Sequence, residues 1–266
     1  MNLYSLTPFD LALAAGLVLA LGIVQVLLGL GLFRTLALNS VRMVLQLLLV
    51  GVILEAVFDA ATLPWIALIA LVMMALAGYE VVARQKRAIR GWHGYGIGLA
   101  AMSATALIVT VLALTFVIET DPWYTPQYAI PLLGMILGNT MTGIGLALNN
   151  LTQTAWQSRR EIEARLVLGH SVRDATAELR SDSMRAGLIP TLNMLAAAGV
   201  ISLPGMMTGQ ILAGTPPIEA VKYQILIIFL ITAATGFGSL VAVQLGARRL
   251  FDARDRLRLD RLRNRQ

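Results

Sequence analysis

Apolar residues are gathered into long runs along most of this chain, and short charged connections separate the runs. A helix of about 20 apolar residues matches the thickness of the hydrocarbon core of a bilayer. Seven runs reach that length, and they predict membrane spans at residues 11–32, 40–58, 63–82, 95–118, 129–148, 188–212 and 221–245. The pattern therefore predicts one all-α domain over residues 1–266, a polytopic transmembrane bundle of about seven spans.

Positive charges are concentrated in alternate connections of this predicted bundle. Nearly all of the 21 Lys and Arg residues lie in the connections after the first, third and fifth runs and in a basic tail at 246–266. Basic residues near span ends stay on the cytoplasmic side, so the N-terminus is predicted outside and the C-terminus inside. The tail alternates Leu and Phe with arginines, which predicts an interfacial helix on anionic lipid headgroups.

The composition limits the chemistry that the chain can perform. It is 57% hydrophobic and 14% charged, whereas soluble domains are about 25% charged. Cysteine is absent, which excludes disulfides and thiolate metal sites. The two histidines, His93 and His170, stand singly in cytoplasmic connections, so no serine at membrane depth has a base to activate it. We therefore expect a protein that is not an enzyme.

Residues 153–187 form the only large charged segment between two predicted spans. Ile162, Leu166 and Leu168 follow a helical spacing, Gly169 comes next, and a second helical stretch is predicted at 174–184. Two short amphipathic helices joined at a glycine can dock a soluble partner, or they can form an ordinary solvated connection. The pattern alone leaves both interpretations open.

The sixth run contains the segment SLPGMMTGQILAG, which is unusual inside a membrane span. Pro204 removes a helical hydrogen bond, and irregular backbone survives at membrane depth only beside protein or a watery cavity. We expect a broken helix that borders other protein or a solute pathway, with six candidate residues: Pro204, Gly205, Met206, Met207, Gly209 and Gln210. Met206 and Met207 offer soft, transient metal ligands, or they fill gaps in a kinked helix.

The fifth run carries a second polar group in GMILGNTMTG. Met135 and Asn139 are one helical turn apart and share a face, and Thr140 adds a hydroxyl. Gly134 and Gly138 have the Gly-x3-Gly spacing that lets helices approach closely. The group is either the lining of a pathway or a set of hydrogen bonds between the helices of two subunits.

The second and third runs contain charges at the predicted inner end of each span. Arg42 lies one turn from Gln46, close enough to the end for its side chain to reach the headgroups. Glu80 is a candidate partner for Arg42 or for an arginine of the connection that begins at Arg84.

The segment EARLVLGHS resembles the coupling segment of ABC-transporter permeases. Glu163, Ala164 and Gly169 stand at the family's spacing, whereas Arg165 replaces its second alanine. The resemblance extends to IPLLGMILGNTMTGIGLAL, SLPGMMTGQILAG, EAVKYQILIIF and VRMVLQLLLVGVIL, which are similar to segments of the FetB-like permeases of bacterial iron export, relatives of the plant aluminium-tolerance membrane subunits.

This resemblance implies a permease subunit that exports iron or a related metal from the bacterial inner membrane. It implies two copies of the chain and two copies of a separate ATP-binding subunit, which docks on the segment at Glu161, Glu163, Ala164 and Gly169. ATP and Mg²⁺ would bind to that subunit, because the chain has no Gly-x4-Gly-Lys-Ser/Thr motif. Two alternatives remain: a scaffold that docks a soluble protein, and a permease for a complexed metal or a small organic molecule.

Overall fold

The computed structural model describes residues 7–60 and 62–264, and most of this part of the chain is helical. Six of the helices are long and apolar enough to cross a membrane, and they coincide with the predicted spans one to five and seven. The chain is therefore a polytopic helical membrane protein. The helices are α1 Pro8–Leu27, α2 Phe33–Ala60, α3 Leu63–Ala83, α4 Trp92–Phe116, α5 Pro126–Gln157, α6 Arg159–Val167, α7 Val172–Ala175, α8 Ala177–Ala197, α9 Gly205–Leu212 and α10 Pro217–Arg249.

Helix α5 is the centre of the bundle and packs against α3, α4, α8 and α10. Its apolar side chains supply much of the core, because it is the helix with neighbours on most sides. Helices α1 and α2 lie at the periphery, and Gly22 is the one residue of α1 that is buried among the residues described. The largest fully buried side chains include Met102, Leu114, Ile136, Ile144, Leu148 and Leu151.

The predicted sixth span is interrupted in the structure. Helix α8 ends at Ala197, and α9 begins at Gly205. The turn between them contains Gly199 with a φ of 84°, a left-handed conformation that glycine adopts without strain. The broken helix is thus confirmed, but the break starts at Ala198, and Pro204 is the N-cap of α9 rather than the point of interruption.

The turn at 198–204 lies level with the middle of α10 rather than with its first residue. Gly187 of α8 and Ser239 of α10 are level, since a Cβ on Gly187 would lie 3.1 Å from Ser239 Oγ. From that level α8 rises about 15 Å to Ala197, whereas α10 extends about 33 Å to its first residue, Pro217. The turn therefore lies about 18 Å short of the level at which α10 begins.

The charged segment forms α6 and α7, which are joined by a turn at Gly169. Gly169 has a φ of 90°, as the predicted glycine turn requires. The predicted second short helix at 174–184 is wrong in its bounds. Helix α7 stops at Ala175, and the residues from Ala177 onward belong to the long helix α8.

The basic tail is not an interfacial helix, so that prediction is wrong. A strand β2, Leu262–Asn264, pairs antiparallel with a strand β1, Arg87–Ile89, of the connection between α3 and α4. Phe251 and Leu262 are buried against the bundle. These apolar residues of the tail therefore face the protein rather than lipid. The sequence of the tail does not reveal its pairing with β1, because β1 is far away along the chain.

Hydrogen bonds close the turn that leads from α10 into the tail. Asp252 accepts the backbone N–H groups of Arg256 and Arg254 at 3.0 and 2.9 Å. The backbone N–H of Arg256, ahead of its side chain, lowers the pKa of Asp252 to about 2. Arg261 Nη1 donates to the carbonyl oxygens of Arg249 and Phe251 at 2.8 and 3.0 Å, which satisfies the end of α10.

Replacing Leu262 with alanine is expected to release the tail. The change removes buried apolar contacts, which costs about 2 kcal/mol for a leucine at the edge of a core. The rate of trypsin cleavage at the tail arginines measures the release and should rise. Arg263→Lys on the same strand is the control, because Arg263 is exposed and lysine keeps a trypsin site; equal cleavage rates in the two variants would contradict this account of the tail.

Candidate functional site

A strip of polar side chains on α5 is exposed in the single chain. Asn139 is exposed, and its Nδ2 donates to the carbonyl oxygen of Met135 at 2.8 Å. Thr142 Oγ1 donates to the carbonyl oxygen of Gly138 at 3.0 Å. Met135 and Asn139 therefore share a face, as predicted. Because the amide donates within its own helix, the Asn139 Oδ1 atom is available to accept a hydrogen bond or to contact a cation.

Thr140 does not belong to this strip. Its side chain is fully buried, and a Cβ on Gly238 of α10 would lie 3.1 Å from Thr140 Cγ2. The residue therefore packs toward α10, while Asn139 is exposed. The structure does not bring these two candidate residues together.

Helices α5, α8 and α10 approach closely at three small residues. A Cβ added to Gly187 would lie 2.8 Å from the carbonyl oxygen of Gly143 and 3.1 Å from Ser239 Oγ. Gly143 of the fifth run makes this contact, whereas a Cβ on Gly138, one of the two glycines with the Gly-x3-Gly spacing, would meet no atom within 4 Å. Gly187 was missed in the sequence, because its neighbours come from two other helices.

The residues of α9 face in different directions. Met206 is partly buried and packs against the core, and Gln210 has a buried Oε1 atom without a donor in the described part of the chain. Met207 is half-buried. A Cβ on Gly205 or Gly209 would meet no atom within 4 Å, so these glycines border open space in the single chain.

The turn before α9 exposes apolar side chains. Val200 and Ile201 are 90% and 83% exposed, and Leu203 is also exposed. Inside a bilayer, a turn of this kind must be covered by protein or border a watery cavity. Asn193 of α8 is a further exposed amide close below the turn. It was missed among the candidates, although an asparagine inside the apolar run IPTLNMLAAAG is a visible signal.

No group of three or more His, Cys, Asp or Glu residues is placed to hold a metal ion between residues 7 and 264, with residue 61 left aside. The donors near the strip and in α9 are amide oxygens and thioethers, from Asn139, Gln210, Met206 and Met207. Such donors bind hard or borderline cations weakly.

Glu80 forms ion pairs with two arginines at one end of the bundle. Its carboxylate lies 2.8 Å from Arg42 Nη2 and 3.5 Å from Arg84 Nε. Both predicted partners are therefore confirmed. The first pair joins α2 to α3, which otherwise share few contacts, and so it fixes the peripheral helix to the bundle.

The loop between α6 and α7 exposes an apolar tip at the end of the bundle that carries β1 and the tail. Val167 and Leu168 are 87% and 78% exposed, and Gly169 follows them. Glu163 and Ala164 are exposed as well. Val167, Leu168 and Gly169 thus form an exposed tip with two apolar side chains.

An arginine behind this tip contacts carboxylates of both α6 and α8. Arg165 Nη2 lies 2.6 Å from Glu161 in its own helix and 3.5 Å from Glu178 at the start of α8. The arginine that departs from the pattern of ABC-transporter permeases thus ties α6 to α8. Glu161 is engaged in this pair, which leaves Glu163 as the free carboxylate of α6 among the described residues.

Known proteins that are similar to this chain are membrane proteins, in agreement with its long apolar helices. The model of the uncharacterised protein family UPF0014 matches residues 8–251. The membrane protein slr1647 of Synechocystis is 40% identical over 81% of this chain and 83% of its own length, and the probable iron export permease protein FetB of Escherichia coli is 32% identical over 97% of each. The rice membrane protein STAR2 is 34% identical over 77% of this chain and 70% of its own. No solved structure matches. The chain therefore belongs to the UPF0014 family of membrane proteins.

Proposed function

We propose that this chain is the membrane permease subunit of an ABC transporter in the bacterial inner membrane. It exports iron or a related metal, and a separate ATP-binding subunit, which holds ATP and Mg²⁺, drives the transport. The name of the FetB relative supports the substrate and the direction. The observation that carries the proposal is the exposed tip formed by Val167, Leu168 and Gly169.

The tip supplies what a docked motor requires. Burying a leucine side chain at an interface contributes about 1.5–3 kcal/mol, and Leu168 is almost entirely free for such contact. The tip is joined through α7 to α8, and α8 packs on α5 and α10. A displacement of the tip by the ATP-binding subunit is therefore transmitted to the helices that carry the polar strip and the broken crossing.

Two copies of the chain form the transporter, and the pathway lies between them. A second copy covers the apolar turn at 198–204, which cannot face lipid, and supplies the opposite wall for the strip of Met135 and Asn139. Asn193 joins this lining. Gly205 and Gly209 next to Pro204 provide the flexible points at which α9 moves during alternating access.

The lining restricts the substrate to one that is bound weakly and released. Amide oxygens and thioethers serve a metal that keeps part of its own ligand shell. A complexed metal or a small organic molecule meets the same donors, and the transport assay distinguishes these substrates from free Fe²⁺.

Proteoliposomes that contain the full chain and its ATP-binding subunit test the proposal. ATP-dependent movement of Fe²⁺, followed with a metal-sensitive dye, is expected, and the chain should stimulate ATP hydrolysis. Leu168→Asp should abolish both signals and prevent co-purification of the two subunits. Ile218→Asp, at an exposed apolar residue of the opposite end of the bundle, is the control. Failure of the wild-type subunits to associate would overturn the proposal.

Asn139→Leu is expected to reduce transport while leaving the stimulation of ATP hydrolysis unchanged. The substitution removes an amide oxygen worth about 1 kcal/mol to a bound substrate, or about fivefold in apparent affinity. Transport rates at several metal concentrations measure the effect, and Asn139→Gln should restore part of it. An unchanged concentration dependence in Asn139→Leu would show that this side chain is not part of the pathway.

A further inference from the structure

Three arginines converge on a cavity at the cytoplasmic end of the bundle, away from the polar strip. Arg173 of α7, Arg180 of α8 and Arg248 of α10 line it together with Thr176 and Gln244, and its volume is about 350 Å³. No carboxylate is among its lining residues. The cavity therefore gathers positive charge without an internal counterion.

The hydrogen bonds of these arginines do not neutralise them. Arg180 donates to the neutral Oε1 atom of Gln244. Arg173 and Arg248 take part in none of the ion pairs found between residues 7 and 264. Three guanidinium groups near one cavity repel each other, and a phosphate oxygen is the ligand that their planar forks match best.

An apolar groove lies on the other side of Arg248. Helices α4 and α10 form it with Trp92, Ile97, Leu245 and Arg249, and its volume is about 500 Å³. Trp92 is 82% exposed, and tryptophan is enriched where a membrane meets water. The Nε atom of Arg249 is buried and has no acceptor within the described part of the chain.

The arginine cavity and the apolar groove share Arg248. Together they match a ligand that has an anionic head and an apolar chain. A phosphate in the arginine cavity lies beside Arg248, and an acyl chain can follow the groove along α10 toward the bilayer. Basic pockets between transmembrane helices on the cytoplasmic side are suited to acidic lipid headgroups. We propose that the cavity formed by Arg173, Arg180 and Arg248, with the adjoining groove at Trp92, is a binding site for an acidic phospholipid of the inner leaflet.

Occupancy of this site would have a structural effect. The headgroup bridges α7, which follows the Gly169 turn, to the end of α10, from which the tail begins. An anionic lipid thereby fixes the position of α6 and α7 against the bundle. The site does not depend on the proposed transport function, because its residues lie outside both the polar strip and the apolar tip.

The full-length chain in nanodiscs with increasing phosphatidylglycerol in phosphatidylcholine tests the proposal. We expect a saturable rise in the Tm, and native mass spectrometry should detect retained phosphatidylglycerol. Arg173→Gln and Arg248→Gln should each weaken the apparent lipid affinity about fivefold, since one arginine near an anionic membrane is worth about that factor. Arg173→Lys should retain most of the binding. In a parallel measurement without acidic lipid, inorganic phosphate and glycerol phosphate test whether a soluble anion also raises the Tm.

The matched control is Arg34→Gln, which removes one positive charge from an exposed position in the first turn of α2, on the same predicted side. An equal loss in Arg34→Gln would attribute the effect to general surface charge and overturn the proposal. Stabilisation by inorganic phosphate that equals that of the lipid would assign the cavity to a soluble anion and would also overturn it. Retained lipid affinity in Arg173→Lys would show that a substitution at this position does not misfold the protein.

Discussion

Replacing Gly143 with alanine is expected to destabilise the protein by about 1–3 kcal/mol, the usual cost of overpacking a core. The new methyl group would overlap Thr235 Cγ2 of α10 and would lie 2.9 Å from the carbonyl oxygen of Gly187. Neither neighbour can withdraw easily, because one is a β-branched side chain and the other is backbone. The three helices would have to separate, and the Tm of the purified protein should fall.

Gly145→Ala is the control for this prediction, since it places the same methyl group two residues away. A Cβ there would meet no atom within 4 Å, so only the helix propensity changes, and alanine should stabilise the helix by about 0.5–1 kcal/mol. The two variants should therefore shift the Tm in opposite directions. A shift of the same sign in both would show that the contact between Gly143 and Gly187 does not limit the packing.

Replacing Gly169 with valine is expected to uncouple ATP hydrolysis from transport. The φ of 90° at this position is unfavourable for a β-branched residue by about 1–2 kcal/mol. That strain corresponds to a 5–30-fold smaller population of the native turn. The tip would leave its position, so fewer metal ions should move for each ATP hydrolysed. The ratio of transport to hydrolysis in proteoliposomes measures this effect directly.

Gly169→Asn separates the backbone effect from the loss of a glycine. Asparagine tolerates the left-handed region far better than valine does, so this variant should couple nearly as well as the wild type. A Cβ at this position would meet no atom within 4 Å, which excludes a steric clash as the cause. Unchanged coupling in the valine variant would count against the docking role of the tip.

The helices that cross the membrane follow directly from the sequence, because long apolar runs have few other stable structures in lipid. Helices α1 to α5 and α10 appear where hydropathy places them. The interruption of the sixth run was also predictable, since Pro204 disfavours a continuous helix. Its position was not, because Gly199 ends α8 through a backbone conformation that residue identity permits but does not require.

The features that the sequence did not reveal depend on partners far away along the chain. The strand at Leu262–Asn264 forms because it pairs with Arg87–Ile89. The sequence of the tail by itself predicts an amphipathic helix. Gly187 matters because α5 and α10 close around it. Tertiary packing determines the structure at both places, and the local periodicity of the sequence does not reveal tertiary packing.

The candidate site was predictable to the extent that it lies on one helix. The spacing of Met135 and Asn139 fixes their common face, and the hydrogen bond between them confirms it. The orientation of Thr140 toward α10 depends on which face of α5 that neighbour covers. A helical wheel cannot supply this information, since α5 has neighbours on most sides.

The shallow burial of the first two helices bears on how the protein is made. Helix α1 buries Gly22 alone among its residues, where the ring of Phe33 from α2 lies against it. The pair precedes the other described helices along the chain, so it leaves the ribosome before them, and its apolar outer faces are stable in lipid. The two helices can therefore form a stable hairpin in the membrane while the later helices are synthesised. The ion pair between Arg42 and Glu80 then joins this hairpin to α3.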